Sequence, residues 1–297
     1  QHPDLAPNLN LALSTSFVPG EGFDIQPGVY FNHGSHVAGI AAAADNGVGV
    51  VGVAPEAEIV AVKVLSEFTG SGSFAGVGSG IVYAALIDAD IINMSLGAVI
   101  PNATGPGIAA LKNFLKRAVQ FAHSRGATII VAAGNEAIDR DHDRSTLVLP
   151  ADLPHVIQVS ATAPDLWAGN PDADFDVLAS YSNFGQSTID FSAPGGDFDQ
   201  LASPPCVIGP FIVNPCGVAD FVVSASSQSW FFAAGTSMAA PHVSGVAALI
   251  IARNGGDMNP AHVEAALRQS SDDIGKPGRD DVHGHGRVNA ARAVGIL

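Results

Sequence analysis

The chain has 297 residues, a net charge of −15, and 14% charged against 47% hydrophobic side chains. The acidic balance argues against nucleic acid or an anionic membrane surface as partner, since both select clustered positive charge. The apolar content excludes a disordered chain, and no run of about 18 uncharged apolar residues occurs to span a membrane.

From the N-terminus, Gln1-His-Pro-Asp-Leu5 carries neither the basic nor the apolar region of a signal peptide and no initiator Met. The start therefore reads as a processing or cloning boundary. A small-residue helix is expected over 33–44, then a buried strand at 58–64, a helix at 74–88 and a strand at 90–95. A helix over 107–125 follows, with Ile108, Leu111, Leu115, Ala118, Val119 and Ala122 on one stripe and Gly126 as its left-handed stop. Strands at 127–133 and 156–161 are near-continuous apolar runs, as central parallel strands covered on both faces are. Residues 163–179 and 195–229 break the rhythm and read as surface insertions. Helices at 237–252, 260–270 and 287–295 close the chain. Strand and helix in alternation predict an α/β fold, a doubly wound, mostly parallel sheet with helices on both faces. No charge shift, repeat or low-complexity run marks a boundary, so a single domain over 1–297 is expected. The only cysteines, Cys206 and Cys216, share a Pro/Gly-rich loop that suits one short disulfide; two free thiols are the other reading.

Three segments carry chemistry. Ser237, in Gly235-Thr-Ser-Met-Ala-Ala-Pro-His, stands where a small-residue run enters a long apolar helix, with Pro241 expected in the first turn. Unpaired N–H groups there suit a nucleophile that generates an oxyanion beside itself, and equally an ordinary N-cap. His33, in Asn32-His-Gly-Ser-His36, opens a helix, where the dipole disfavours the imidazolium and keeps a neutral base. A metal site on His33 and His36 lacks a third ligand and the His-Glu-x-x-His pattern. Asn135 ends a buried strand, where its amide is placed either to donate to an oxyanion or simply to make a turn.

Together these segments resemble the subtilisin-like serine peptidases, the subtilases. The resemblance extends to Asn93-Met-Ser-Leu-Gly97, Ala132-Ala-Gly-Asn135, His2-Pro-Asp-Leu5, Gly52-Val-Ala-Pro55, Ala61-Val-Lys-Val64, Ala193-Pro-Gly195 and Gly284-His-Gly-Arg-Val-Asn-Ala. It implies Ser237 as nucleophile, His33 as general base and acid, and Asn135 with the Ser237 N–H as oxyanion hole. It implies that Ser95, Leu96 and Gly97 pair with an extended substrate and wall one side of the P1 pocket, with Ala132, Ala133 and Gly134 on the other. Gly70, Ser71 and Gly72 would pair on the far side, with Phe74 near P4. Small residues leave a roomy apolar pocket, so large uncharged P1 side chains are expected. The resemblance further implies protein or peptide substrates, an N-terminal prosegment as partner, a monomer, secretion to the extracellular space, and a structural calcium on Asp4 and Asn46 with carbonyls near Ala44, Val48 and Val50. Asp139, Asp141 and Asp143 fail the EF-hand pattern at Arg144, and Asp172, Asp174 and Asp176 fail it at Val177; both read as solvated acidic loops.

One departure stands out. Subtilases carry Asp-Ser/Thr-Gly about nine residues before the aspartate of the His-Pro-Asp-Leu segment, and no such motif occurs in this chain. Asp4 and Asp24, the carboxylates preceding His33, stand in other contexts. The chain thus reads as cut just after its catalytic aspartate, with the first core strand missing. It is expected to be weak or inactive alone. A non-catalytic peptide-binding protein is the alternative reading.

Overall fold

Continuous burial sets the middle of the molecule. The computed structural model describes residues 2–296 except Gln26, Pro27, Thr104 and Pro171. The elements run β1 (Thr15–Ser16), α1 (His33–Ala42), β2 (Val62–Lys63), α2 (Phe74–Leu86), β3 (Ile91–Met94), β4 (Ala98–Pro101), α3 (Pro106–Ser124), β5 (Thr128–Ala132), β6 (Thr146–Leu149) and β7 (Ile157–Ala163). They continue with β8 (Val177–Leu178), β9 (Phe191–Pro194), β10 (Cys206–Ile208), β11 (Phe211–Val213), β12 (Val222–Ser226), β13 (Ser229–Ala233), α4 (Thr236–Arg253), α5 (Pro260–Ser270) and α6 (Ala290–Ala293). Every residue of β5 and β7 is buried, as the unbroken apolar runs require. Parallel pairing in the order β3-β5-β7-β9 builds the main sheet, and β8 adds an antiparallel edge to β7.

Each face of the sheet is covered. On one side α4 and α5 pack Val243, Val246, Ile250 and Leu267 onto Ile130, Val159 and Phe191. On the other, α2 and α3 pack Ile81, Leu115 and Val119 onto Ile92, Ile129 and Val131. The α3 stripe is the one expected, and the helix stops at Gly126 with φ +103°. There Gly126 N–H bonds the His123 carbonyl and Ala127 N–H the Ala122 carbonyl, a Schellman closure that needs a left-handed residue.

The sheet is interrupted. Among the described residues β2 pairs only with β1, and β3 only with β5. Between β2 and β3 lies a cavity of about 790 Å3, lined by Val62 and Ile92 at its sides, by Gly80 and Ile81 of α2 on one face and by Ala248 and Ala252 of α4 on the other. With strands at its sides and an apolar roof and floor, the cavity has room for one further strand. The sequence reading expects a core strand to be absent, and this gap has the shape of one.

Several expectations need correction. The strand at 58–64 is regular only at Val62–Lys63, and the last helix only at Ala290–Ala293. β4 and β6 form an antiparallel pair that the sequence reading leaves out. Residues 195–229 are not wholly a surface insertion. They hold the hairpins β10–β11 and β12–β13, and Ser224, Ala225 and Ser226 of β12 are fully buried against α1. Cys206 and Cys216 are joined as a disulfide, closing the first hairpin onto the turn that follows it. Asp176 is not simply solvated, because Arg287 holds both its oxygens, at 2.7 and 2.9 Å. Asp139, Asp141 and Asp143 are likewise not simply solvated: they are half-buried and accept from N–H groups of Asp141, Ser187 and Ser145.

Candidate active site

Ser237 is the second residue of α4, after Gly235, whose φ of +156° suits glycine. Pro241 lies one turn further into the helix than expected, at its sixth residue. Proline has no N–H for the carbonyl four residues back. That carbonyl belongs to Ser237, and the Ser95 hydroxyl donates to it at 2.7 Å instead. Ser95 Oγ in turn accepts from Asn93 Nδ2 at 3.0 Å, and Asn93 Oδ1 accepts from Ser244 Oγ at 2.8 Å. The carboxyl end of β3 is thereby tied to the first turns of α4. The Ser237 hydroxyl donates to the Ser95 carbonyl, 3.3 Å away.

Asn135 follows β5 and is exposed. Its Oδ1 accepts from the Thr236 backbone N–H at 2.9 Å and from Thr236 Oγ1 at 2.8 Å. A backbone N–H only donates, so the atom facing it must be the oxygen, and the amide's orientation is fixed. Nδ2 then turns the other way. A Cβ built on Gly235 would lie 3.7 Å from Asn135 Nδ2 and 3.7 Å from Ser237 N. The Asn135 amide nitrogen and the Ser237 backbone N–H thus both lie close to Gly235, at the entry to α4.

His33 opens α1, capped by Asn32, whose side chain accepts from Ser35 N at 2.9 Å. α1 is held by β12: Asn32 N donates to Ser226 Oγ at 2.7 Å, and Ser224 Oγ to the His36 carbonyl at 2.8 Å. It also packs on α4, where a side chain at Gly245 would collide with Val53 and approach the Ala41 carbonyl. Burial, and secondarily the neighbouring His36, hold His33 below the usual imidazole value. Both effects favour the neutral ring. Among the described residues no carboxylate is hydrogen-bonded to His33. His36 is fully buried with Nε2 on the Phe231 carbonyl at 2.9 Å, and no group of three metal-ligating side chains occurs among the described residues.

Of the expected substrate-contact residues, Ser95 touches Ser237. Ser95, Leu96 and Gly97 follow β3, and Ala132, Ala133 and Gly134 end β5 on the same edge of the sheet. The only side chains these two walls carry, Ser95, Leu96, Ala132 and Ala133, are small or aliphatic. Gly70, Ser71 and Gly72 lie in an exposed loop, and Phe74 begins α2 half-buried.

Asp4 is fully buried. Its Oδ2 accepts from Val50 N at 3.0 Å and Trp230 Nε1 at 2.7 Å, while Oδ1 is buried without a hydrogen-bond partner. Asn46 reaches the same place, donating to the Pro3 carbonyl at 3.1 Å. Asn46 Oδ1 accepts from Val48 N at 3.0 Å, and the unsatisfied buried carboxylate oxygen of Asp4 is a hard donor of the kind calcium takes.

Residues 1–286 match the family model of the Peptidase_S8 subtilase family. The chain belongs to the subtilase family. Among curated relatives it is 33% identical over 272 residues to the thermophilic serine proteinase of Bacillus sp. (strain AK1), covering 91% of this chain and 54% of that protein. Subtilisin E of Bacillus subtilis (strain 168) is 35% identical over 289 residues, with 97% and 61% covered. Subtilisin Savinase of Lederbergia lenta is 33% identical over 287 residues, with 97% and 85% covered. The chain thus spans about half to three fifths of the length of the first two. Two solved structures share the subtilase fold over nearly all of this chain. A lanthipeptide protease matches with a TM-score of 0.78 at 25% identity, over 100% of this chain and 85% of that one. A protease of Pseudoalteromonas arctica PAMC 21717 matches at 0.71 and 28%, over 99% and 86%.

Asn183 is a residue of this subtilase site that the sequence reading misses. It is fully buried 47 residues beyond Glu136, and its side chain is spent on the loop that carries Asn135. No local pattern marks it, because its partners are backbone groups distant in sequence.

Proposed function

We propose that the chain is the catalytic domain of a serine endopeptidase that cleaves extended polypeptides. Ser237 attacks the peptide carbonyl, and His33 takes its proton and delivers it to the leaving amine. The observation that carries this reading is the forced orientation of the Asn135 amide, which leaves Nδ2 close to Gly235, as Ser237 N is. A protein that only bound peptides would have no use for two such donors at the entry to α4.

Residues 95–97 and 70–72 pair with the substrate backbone as added strands, which gives affinity with little sequence demand. The small lining at Ala132, Ala133 and Gly134 supports broad specificity with large apolar P1 side chains. The disulfide supports action in an oxidising, extracellular setting, and the same reading carries a folding prosegment and a monomeric enzyme.

A peptidyl phosphonate with an apolar P1 group is expected to label Ser237 and no other serine. Peptide mapping by mass spectrometry checks this, with Ser237→Ala as the unlabelled control. Labelling elsewhere favours the peptide-binding alternative, as does none once a strand ending in aspartate is supplied to the gap between β2 and β3.

Calcium belongs to the same proposal. Asp4 Oδ1, Asn46 Oδ1 and the carbonyls of loop 44–50 would hold it, and it would pin residues 3–4 to that loop. A ligand that binds only the native state stabilises by RT ln(1 + [L]/Kd), about 2.7 kcal/mol at a hundredfold excess over Kd. Thermal midpoints with calcium and with a chelator are expected to differ, and to converge in Asp4→Ala. Equal midpoints in the unmodified protein would retire the site.

A further inference from the structure

We infer that Asn183 is the positioning residue of the oxyanion hole: it shapes the loop that aims Asn135 at the reacting carbonyl. This rests on the peptidase reading above. The loop after β5 does not hold its own shape. Gly134 has φ +103° and Ala137 φ +53°, so two of its residues take left-handed backbone. For alanine that conformation is disfavoured, and it persists where surroundings impose it.

Asn183 supplies the surroundings. Its Nδ2 donates to the Ala133 carbonyl at 2.9 Å and to Glu136 Oε2 at 2.7 Å. Its Oδ1 accepts from Glu136 N at 3.2 Å and Ile138 N at 2.8 Å. Its own backbone N–H donates to the Gly134 carbonyl at 3.1 Å. Both amide hydrogens and both oxygen lone pairs are used, and they bracket residue 135 from 133, 134, 136 and 138. A side chain on Gly134 would collide with Asn183 Nδ2, so glycine there and asparagine at 183 are fitted to each other. Neighbouring backbone pairs extend the template, Ala137 N to the Tyr181 carbonyl at 2.7 Å and Phe184 N to the Ile138 carbonyl at 3.1 Å. Asn183 touches no part of the reacting space. It acts through Asn135, whose Thr236 contacts fix the amide's rotation while Asn183 fixes where the backbone presents it.

A shift of about 1 Å at a catalytic donor is enough for about 10²-fold in rate. The second-order rate of phosphonate labelling at Ser237 is therefore expected to fall about 10–100-fold in Asn183→Ala, with a much smaller loss of affinity for a reversible peptide ligand, since Asn183 also holds Ala133 and Gly134 of the expected P1 wall. Asn183→Asp keeps the shape and the acceptor but sets an oxygen against the Ala133 carbonyl and Glu136. It is expected to lose rate likewise, and serves if the alanine variant folds poorly. The deciding measurement is a double-mutant cycle with Asn135→Leu. Once the Asn135 donor is gone, Asn183→Ala or Asn183→Asp should cost little more. Losses that multiply, loss confined to peptide affinity, or labelling at the parental rate would each overturn the inference. These rates are measured with a strand ending in aspartate supplied to the gap between β2 and β3; failure of the parent to label even then would be seen before any variant is made, and it overturns the peptidase reading and this inference with it.

Discussion

Asn135→Leu is expected to lower kcat about 10²–10³-fold while KM stays nearly constant. That magnitude is the one known for losing a single oxyanion-hole donor in subtilisin itself, and it is carried over to this chain. The proposed role predicts the split between the two constants. On that role, Nδ2 and Ser237 N would donate to the tetrahedral oxygen and not to the planar carbonyl, so the lost bond would belong to the transition state. Leucine also removes the acceptor for Thr236 N and Oγ1. Asn135→Asp separates the two roles, because it keeps an oxygen toward Thr236 and loses the donor. Both variants should be slow, with thermal midpoints closer to the parent for aspartate. Steady-state kinetics on a peptide or an activated ester checks this, and a defect lying wholly in KM would contradict the oxyanion role.

What the sequence makes legible here follows from range. β5 and β7 are runs whose every residue is buried, and α3 has one stripe and a glycine stop, so local pattern suffices for each. Ser237 and Asn135 lie in short segments with their own helix-entry or strand-exit signals, so their placement at the carboxyl edge of the sheet is foreseeable. The misreadings share a different cause. β4 and β6 are four-residue strands separated by a whole helix and another strand, and their pairing has no local mark. β12 is buried because α1 lies on it through Gly39, a contact made across almost 190 residues. Pro241 looks like a first-turn proline until Ser95 is seen to satisfy the carbonyl it leaves free. Asn183 is likewise invisible, since its role depends on backbone atoms of a loop formed elsewhere. Burial of His33 is a tertiary effect, yet it acts in the same direction as the helix-end argument.

The largest effect expected is the gain in turnover when the gap between β2 and β3 is filled by a parallel strand that ends in aspartate. Residues 1–297 alone should hydrolyse peptide about 10⁴-fold more slowly than the filled protein, the scale known for losing the triad aspartate in subtilisin. The described residues leave His33 without a carboxylate to fix its tautomer and stabilise the imidazolium. Asp4 does not serve, because Val50 and Trp230 hold it. In resting geometry the Ser237 hydroxyl donates to the Ser95 carbonyl, as expected where no oriented base competes for it. The cavity of about 790 Å3 has strands at its sides and apolar helix faces above and below. A parallel strand there would end on the same edge of the sheet as Ser95 and Asn135. Open edges and uncovered apolar surface also make the unfilled chain prone to association. A synthetic peptide of about eight residues, Val- and Ile-rich and ending in Asp-Ser-Gly, should raise both the thermal midpoint and the peptidase rate when added in excess. The same peptide ending in Asn-Ser-Gly should raise the midpoint alone, since the strand fills the gap whatever its last side chain, while only a carboxylate completes the histidine. Equal rates with the two peptides would place the missing carboxylate within residues 1–297, and no change in midpoint with either would mean that the gap does not accept a strand.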